Sequence, residues 1–529
     1  MRGGRIETMI EGWAATQPER IAALSEAGEL TFASLDRLAN KLAHQLRAVG
    51  AGPGDYVLVC LERDPIVMVA VLAVLKAGAA FIPIDPGEPV ARIARIAELD
   101  EVSFVVTAAA FAPSFEGLGL YSLLLDVESL EQAQVSAERP RPMGTPDDPA
   151  YGIATSGSSG TPKTVAVAHR PVINLIEWIG ETFRIGPDDR GLWVSPVSFD
   201  LSVFDLLGLP ALGASLRMVS RDQRKNPIAC SDVLRREPIT FWNSTPALLQ
   251  TLMPFLRGDG DAAAGREHLR LAFLSGDWVP LSLPDQLRAA FPRVDVVALG
   301  GATEATVWSN YYRVGEIDPS WSSVPYGFPI RDAQYYVLDP DQQACDAGAR
   351  GELYIGGGCL ALGYLGDARL TASRFVPDPF AGNPDARMYR TGDGARRWPD
   401  GTLELLGRLD QQVNVSGYRV DLGEVETALK RCGLSQAVAA AVNGAAGTQR
   451  LVAAGVPRER GRDAEGLRAE LARWLPSHMV PDRIRLLDAL PLTANGKADR
   501  KAVARWFEST EPPAEERSPA AAQPATVPS

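Results

Sequence analysis

Between about residues 30 and 106, apolar positions recur at two alternating spacings. Residues 35–49 and 66–77 carry apolar side chains every third or fourth position, which predicts amphipathic or buried helices, whereas Tyr56–Cys60 and residues 80–84 are short unbroken apolar runs of the kind found in buried strands. The second of these helices is predicted to stop at Gly78, a residue that tolerates the left-handed turn ending many helices. The same alternation continues through Val194, Phe241, residues 271–274 and residues 294–299. Repeated strand–turn–helix units predict a large layered α/β body rather than a string of small modules, and no internal repeat is evident.

After about Gly327 the pattern shifts. Residues 334–338, 351–356 and 403–406 alternate or cluster apolar side chains between Gly and Asp-Gly turns, which predicts a β-rich subdomain. Beyond Gly407-Arg-Leu-Asp410, helices are predicted at 422–431 and 464–474, followed by proline-punctuated loops, as in a small α+β lid. The expected division is a large core over 1–409, a small mobile domain over 410–508, and a Pro/Ala/Glu-rich disordered tail or linker over 509–529.

At 529 residues the chain exceeds the size at which one core keeps growing, consistent with more than one domain. A net charge of −12 argues against nucleic acid or anionic membrane as general partners, so a polyanionic ligand would have to be held by local groups. No apolar run approaches the roughly 20 residues that span a bilayer, and the segment Met1-Arg-Gly-Gly-Arg-Ile lacks the apolar core of a secretory signal; a cytoplasmic protein is expected. The five cysteines are scattered, with no C-x-x-C pair, and are expected to be free thiols.

One segment is too polar and too glycine-rich to be core. Thr155, Ser156, Gly157, Ser158, Ser159, Gly160, Thr161 and Lys163 form a loop after a predicted strand, suited to wrapping a polyphosphate with backbone amides, hydroxyls and one mobile cation. The spacing is not that of a Walker loop, and alone the string reads equally well as a flexible turn. It is followed, in order, by Gly300-Gly-Ala-Thr-Glu304, Tyr389-Arg-Thr-Gly-Asp393, Gly407-Arg-Leu-Asp410 and Leu492-Thr-Ala-Asn-Gly-Lys497.

With these motifs, and with Leu30-Thr-Phe-Ala-Ser-Leu35, Leu75-Lys-Ala-Gly-Ala-Ala-Phe-Ile-Pro-Ile-Asp85, Gly351-Glu-Leu-Tyr-Ile-Gly-Gly357, Gly417-Tyr-Arg-Val-Asp-Leu-Gly-Glu424 and Leu475-Pro-Ser-His-Met-Val-Pro481, the chain resembles adenylate-forming enzymes. Within them it is similar to the adenylation domains of nonribosomal peptide synthetases. The resemblance implies ATP and Mg2+ as cofactors. Lys497 is implied as the catalytic cation bridging substrate carboxylate and nucleotide, and Glu304 as the metal ligand. Gly301, Ala302, Thr303, Asp393 and Arg408 are implied to contact nucleotide, with Asp393 on the ribose, and Asp410 to be the hinge on which the small domain turns. One departure concerns the base: many relatives carry an aromatic residue three positions before Thr303, where this chain has Gly300.

The same resemblance implies that Asp200 pairs with the α-ammonium group of an amino acid. Leu201, Phe204, Asn243, Phe273 and Ser275, with Leu299, Val307 and Trp308, are implied to line the pocket that Lys497 completes. Such a pocket is small and mostly apolar, and its flanking text is similar to cysteine-activating domains of siderophore and thiazoline synthetases. L-Cysteine is the expected substrate, with serine, threonine or a modified cysteine as alternatives; an acyl- or aryl-CoA ligase of the same fold is the alternative activity. The gap between Glu426 and Leu475 is too short for an inserted methyltransferase. A phosphopantetheinylated carrier protein is the implied partner, with a small MbtH-like activator as an optional one, suggested by Phe375-Val-Pro-Asp-Pro-Phe380.

Overall fold

The computed structural model describes residues 4–508 except 157–161, 257–266, 320, 322, 410–411, 416, 445–448, 460 and 492–497. Lys497, Asp410 and the five loop residues from Gly157 to Thr161 therefore lie outside the described residues.

Helix Ile66–Ala77 is buried along nearly its whole length because its sequence is apolar on every face, and it ends at Gly78 with φ 97°. Its neighbour Phe32–Ala48 starts three residues earlier than the apolar pattern predicts: Thr31 Oγ1 accepts from the Ser34 amide at 3.2 Å and caps it. The apolar runs Tyr56–Cys60 and Ala80–Pro83 pair in parallel inside a seven-stranded sheet among the described residues. Next to Ala80–Pro83 in that sheet lies Pro149–Thr155, which pairs antiparallel with Lys163–Ala168. Thr155 and Lys163 are the last register partners of this hairpin, so the glycine-rich loop is anchored at both ends by sheet pairing.

A second, nine-stranded sheet among the described residues carries Phe241–Ser244, Leu271–Leu274 and Asp295–Gly300 side by side and parallel. Asn243 is in register with Phe273, and Phe273 with Val297. The carboxyl ends of these strands deliver Ser275, Leu299, Gly300 and Gly301 to one edge, the position at which open α/β sheets bind ligands. Ala333–Leu338, Arg350–Gly357, Arg387–Arg397, Phe375–Pro377 and Leu403–Arg408 form the third sheet, which supplies Asp393 and Arg408. The layered α/β body and its β-rich portion agree with the sequence pattern.

The portion after residue 411 is richer in strands than the pattern predicts. A hairpin, Gln412–Val415 with Tyr418–Asp421, precedes helix Leu422–Arg431, and Leu434–Asn443, Gln449–Pro457 and Arg483–Leu486 form a sheet. The first of these strands is alanine-rich, and alanine has low strand propensity, so its pairing is a tertiary effect. Helix Ala464–Leu471 is shorter than predicted. A buried ion pair joins this portion to the body: Arg92 Nη1 lies 3.1 Å from Glu424, and Arg92 Nε 2.6 Å from Glu88. All five cysteines are free thiols, and no helix among the described residues is long and apolar enough to cross a membrane.

Candidate active site

A cavity of about 940 Å³ opens where the edge of the nine-stranded sheet meets the third sheet and the hairpin 412–421. Asp200 lies in its wall, only 7% exposed. The residue occupies the start of the short helix Leu201–Val203, but its side chain does not cap that helix; Oδ2 instead accepts from Thr303 Oγ1 at 2.7 Å. Burial pushes the Asp200 carboxyl up to about 6, against the lowering effect of the Thr303 hydroxyl. A partly desolvated carboxylate of this kind gains most from a cation placed against it.

Leu201, Ser275, Leu299, Val307 and Trp308 share the cavity wall with Asp200. Thr306 and Val307 both have left-handed backbones, φ 58° and 62°, a costly conformation for β-branched residues that sets Trp308 inward. Its indole Nε1 donates to Ser275 Oγ at 2.9 Å, fixing the only hydroxyl side chain among these wall residues. Phe204, Phe273 and Asn243 do not line the cavity. The two rings pack behind Trp308, at centroid distances of 5.3 and 5.5 Å. Asn243 is buried beside the helical segment, where its amide donates to Leu201 O at 3.3 Å and Asp205 Oδ1 at 3.0 Å. These three shape the wall from behind.

Asp205 has no counterpart in the sequence reading. It is buried in a π-helical turn, Phe204–Gly208, and both its Oδ2 and Asn243 Oδ1 are buried without a hydrogen-bond partner. Burial raises its carboxyl to about 8 despite the Asn243 amide and the charge of Arg63.

On the other side of the cavity a continuous polar chain runs between two carboxylates. Arg408 Nη1 contacts Asp393 at 3.0 Å, and its Nη2 donates to Gln412 Oε1 at 2.8 Å. Arg419 Nε donates to the same Gln412 oxygen at 2.6 Å, and its Nη1 lies 3.2 Å from Glu304 Oε2. Glu304 Oε1 accepts from the Tyr364 hydroxyl at 2.6 Å. Burial would raise the Glu304 carboxyl, but Arg419 and Tyr364 outweigh it and hold it below the ordinary range. Lys163 sits over the Tyr364 ring, 5.8 Å from its centroid, with its pKa lowered by burial and by nearby Arg419. Ser156 Oγ donates to Arg419 O at 2.7 Å, and Thr155 Oγ1 to Lys163 O at 3.3 Å, tying the loop's first residues to hairpin and strand.

Gly301, Ala302 and Thr303 border the cavity between Asp200 and this chain. The hairpin tip reaches the body at Gly417, φ 88°, where a β-carbon would overlap the Thr245 side chain. No cluster of three or more potential metal ligands occurs among the described residues. Glu304 alone suits a divalent cation held mainly by phosphates and water, provided Arg419 gives way. Arg419, Gln412 and Tyr364 escaped sequence reasoning as functional candidates; only Arg419 stood inside a recognisable motif, Gly417-Tyr-Arg-Val420.

Residues 10–365 match the family of AMP-binding enzymes, and residues 424–497 match the AMP-binding enzyme C-terminal domain. The chain belongs to the AMP-binding enzyme family. It is 41% identical over 461 residues to pyochelin synthetase PchE of Pseudomonas aeruginosa, covering 86% of this chain and 30% of the relative. It is 37% identical over 503 residues to the anguibactin system regulator of Vibrio anguillarum, covering 92% of this chain and 46% of that protein. The chain thus spans less than half the length of these curated relatives. Among solved structures, the α-methyl-L-serine-AMP-bound form of the nonribosomal peptide synthetase FmoA3 matches with a TM-score of 0.73 at 35% identity, covering 95% of this chain and 50% of that one. Holo-PA1221, a synthetase protein containing adenylation and PCP domains, matches with a TM-score of 0.82 at 26% identity, covering 95% and 84%.

Proposed function

We propose that the chain activates an amino acid with ATP, forming aminoacyl-AMP and pyrophosphate, and then passes the aminoacyl group to the phosphopantetheine thiol of a carrier protein. The observation that carries this reading is Asp200: a buried carboxylate in the cavity wall, held by Thr303 in the segment that also carries Glu304. It would pair with the substrate ammonium group and so select amino acids over acids that lack one. The substrate carboxylate would attack the α-phosphate, with Lys497 neutralising the two anions as they approach. Asp393 would accept from the ribose hydroxyls, and Lys163 with the loop 155–161 would hold the phosphates. Mg2+ at Glu304 would supply charge neutralisation on the leaving pyrophosphate. Turning about Asp410 would withdraw Lys497 between the two half-reactions.

L-Cysteine is the proposed substrate, with serine, threonine or a modified cysteine as the alternatives. Leu201, Leu299, Val307 and Trp308 give the wall beside Asp200 an apolar character with the Ser275 hydroxyl among them, and FmoA3, a relative over nearly the whole chain, has a form with α-methyl-L-serine-AMP bound. Neighbouring small side chains differ by only about 1 to 3 kcal/mol in such a space. The carrier-protein partner is supported by holo-PA1221, in which adenylation and PCP domains share one chain.

ATP–pyrophosphate exchange measured across the amino acids, with and without an MbtH-like protein, tests the proposal. Exchange dependent on cysteine is expected, and Lys497→Ala should abolish it. Exchange with no amino acid, or coenzyme A-dependent AMP release with an acid lacking an amine, would overturn it.

A further inference from the structure

Asp205 and Asn243 sit in the layer behind the cavity wall, and each is only 1% exposed. The Asn243 amide nitrogen has both of its protons engaged, one on Leu201 O at 3.3 Å and one on Asp205 Oδ1 at 3.0 Å. What remains is Asn243 Oδ1 and Asp205 Oδ2, two buried oxygens without a donor among the described residues. They belong to side chains that the amide already joins. An ionised Asp205 would leave both oxygens bare in a space that excludes water, a costly arrangement.

No cation relieves it. The charge of Arg63 is felt at Asp205, but its guanidinium is engaged elsewhere. Its Nε, Nη1 and Nη2 donate to Val219 O, Ser195 O and Trp193 O at 3.2, 2.7 and 2.7 Å, and it lies 3.7 Å from the Trp193 ring centroid. A single proton on Asp205 Oδ2 satisfies both oxygens at once. A carboxylic acid and a carboxamide are complementary: the acid carbonyl accepts from the amide N–H, and the acid O–H donates to the amide carbonyl. Burial raises the Asp205 carboxyl to about 8, which favours that proton.

We propose that Asp205 and Asn243 form a neutral acid–amide pair, and that Asp205 is thereby a positioning residue for the substrate side chain. The pair holds the Leu201 carbonyl from behind, and Leu201 lines the cavity beside Asp200. Phe204, the first residue of the same π-helical turn, brings its ring to 5.3 Å from Trp308, another wall residue. A β-carbon at Gly208, the last residue of that turn, would overlap the Phe204 ring, so the turn is shaped around it. With every polar atom of Asn243 engaged, none is offered to the substrate. The wall then selects by shape and contact, which favours a thiol over a hydroxyl. This role rests on the proposed amino-acid activation.

The test uses exchange kinetics with cysteine and serine, melting curves and infrared spectra of the full chain. Asp205→Asn, which offers the same pairing as amide to amide, should retain the amino-acid KM and the cysteine-to-serine ratio. Asp205→Leu strands the Asn243 carbonyl and should raise the amino-acid KM about tenfold, shift the ratio towards serine, and leave the KM for ATP unchanged. Asp205→Leu combined with Asn243→Leu removes both partners and should melt higher than either single variant, a readout that survives if Asp205→Leu fails to fold. At about pH 6, wild type should show a protonated-carboxyl band that Asp205→Asn lacks. Absence of that band, equal loss of amino-acid KM in Asp205→Asn and Asp205→Leu, or strictly additive melting shifts would overturn the proposal. Band and non-additive melting without exchange on any amino acid would instead overturn the proposed reaction, and the positioning role with it, while the acid–amide pair stands.

Discussion

The hydroxyl of Thr303 donates to the carboxylate of Asp200 at 2.7 Å, across 103 positions of sequence. One end of this bond lies at the start of a short helix, the other in a 3-10 turn after the strand Asp295–Gly300. The bond therefore fixes the orientation of a carboxylate that its own helix does not cap. Asp200→Asn, nearly the same shape without the charge, should lower kcat/KM for the amino acid by about 30-fold or more, since truncating a buried charge pair typically costs about 2 to 5 kcal/mol. AMP affinity should be unaffected. Thr303→Val should have a smaller effect, roughly tenfold, through loss of one charged hydrogen bond. Pyrophosphate exchange and AMP titration on the three proteins check this.

Asp200 also sets a pH dependence. Its carboxyl titrates at about 6 in the free protein because burial disfavours the anion. Below that pH the neutral acid predominates and cannot pair with an ammonium group, so kcat/KM for the amino acid should fall on the acid side of about 6. In Asp200→Asn this limb should vanish from the lower residual activity. A wild-type profile flat from pH 5 to about 7 would contradict the assignment.

Asp205 is the opposite of a stabilising acid. Its folded-state pKa of about 8 lies above the ordinary 3.8, so the folded chain holds a proton that the unfolded chain has lost. Stability from this group is present at low pH and falls as pH rises from about 4 towards 8, where it levels off. Asp205→Asn removes that dependence and should raise Tm at pH 8 more than at pH 5, by an amount corresponding to about 4 kcal/mol at most. Melting curves at the two pH values give the difference directly.

Arg419 already holds the carboxylate proposed to take Mg2+. With Arg419 Nη1 3.2 Å from Glu304, a divalent ion would have to compete with a guanidinium that is already in place. Arg419→Gln should therefore let exchange saturate at lower magnesium concentration, and Glu304→Gln should raise the magnesium requirement. Magnesium titrations of exchange separate the two, and identical midpoints in wild type and Arg419→Gln would show that the cations do not compete.

Apolar spacing was a sufficient guide wherever burial alone decides structure. Ile66–Ala77 and Tyr56–Cys60 are buried almost throughout, and their patterns have few other solutions. The strand Leu434–Asn443 was not legible, because a run of alanines carries no strand signal until a partner strand and helix Leu422–Arg431 cover it. In the cavity, polar loop residues announced themselves by motif. Gln412 and Tyr364 did not, because their significance arises only when separate sheets bring them between Asp393, Arg419 and Glu304. Asn243 and Phe273 illustrate the reverse case: residues expected to face the cavity are in register on adjacent strands, but Phe273 packs behind Trp308 and Asn243 is turned to Leu201 and Asp205. Alternation along a strand fixes which face a side chain is on, and the bulk of its neighbours decides what it touches.

Gly417 meets Thr245 with no room for even a methyl group. The hairpin's distance from the body is thus set by an atom that is missing, and every other amino acid at this position lengthens it. Gly417→Ala would move Arg419 outward as a unit with its strand, loosening the guanidinium from Glu304 without altering either side chain. Position 417 is a spacer of zero thickness, and the electrostatics of a buried carboxylate beside the cavity depend on its remaining so.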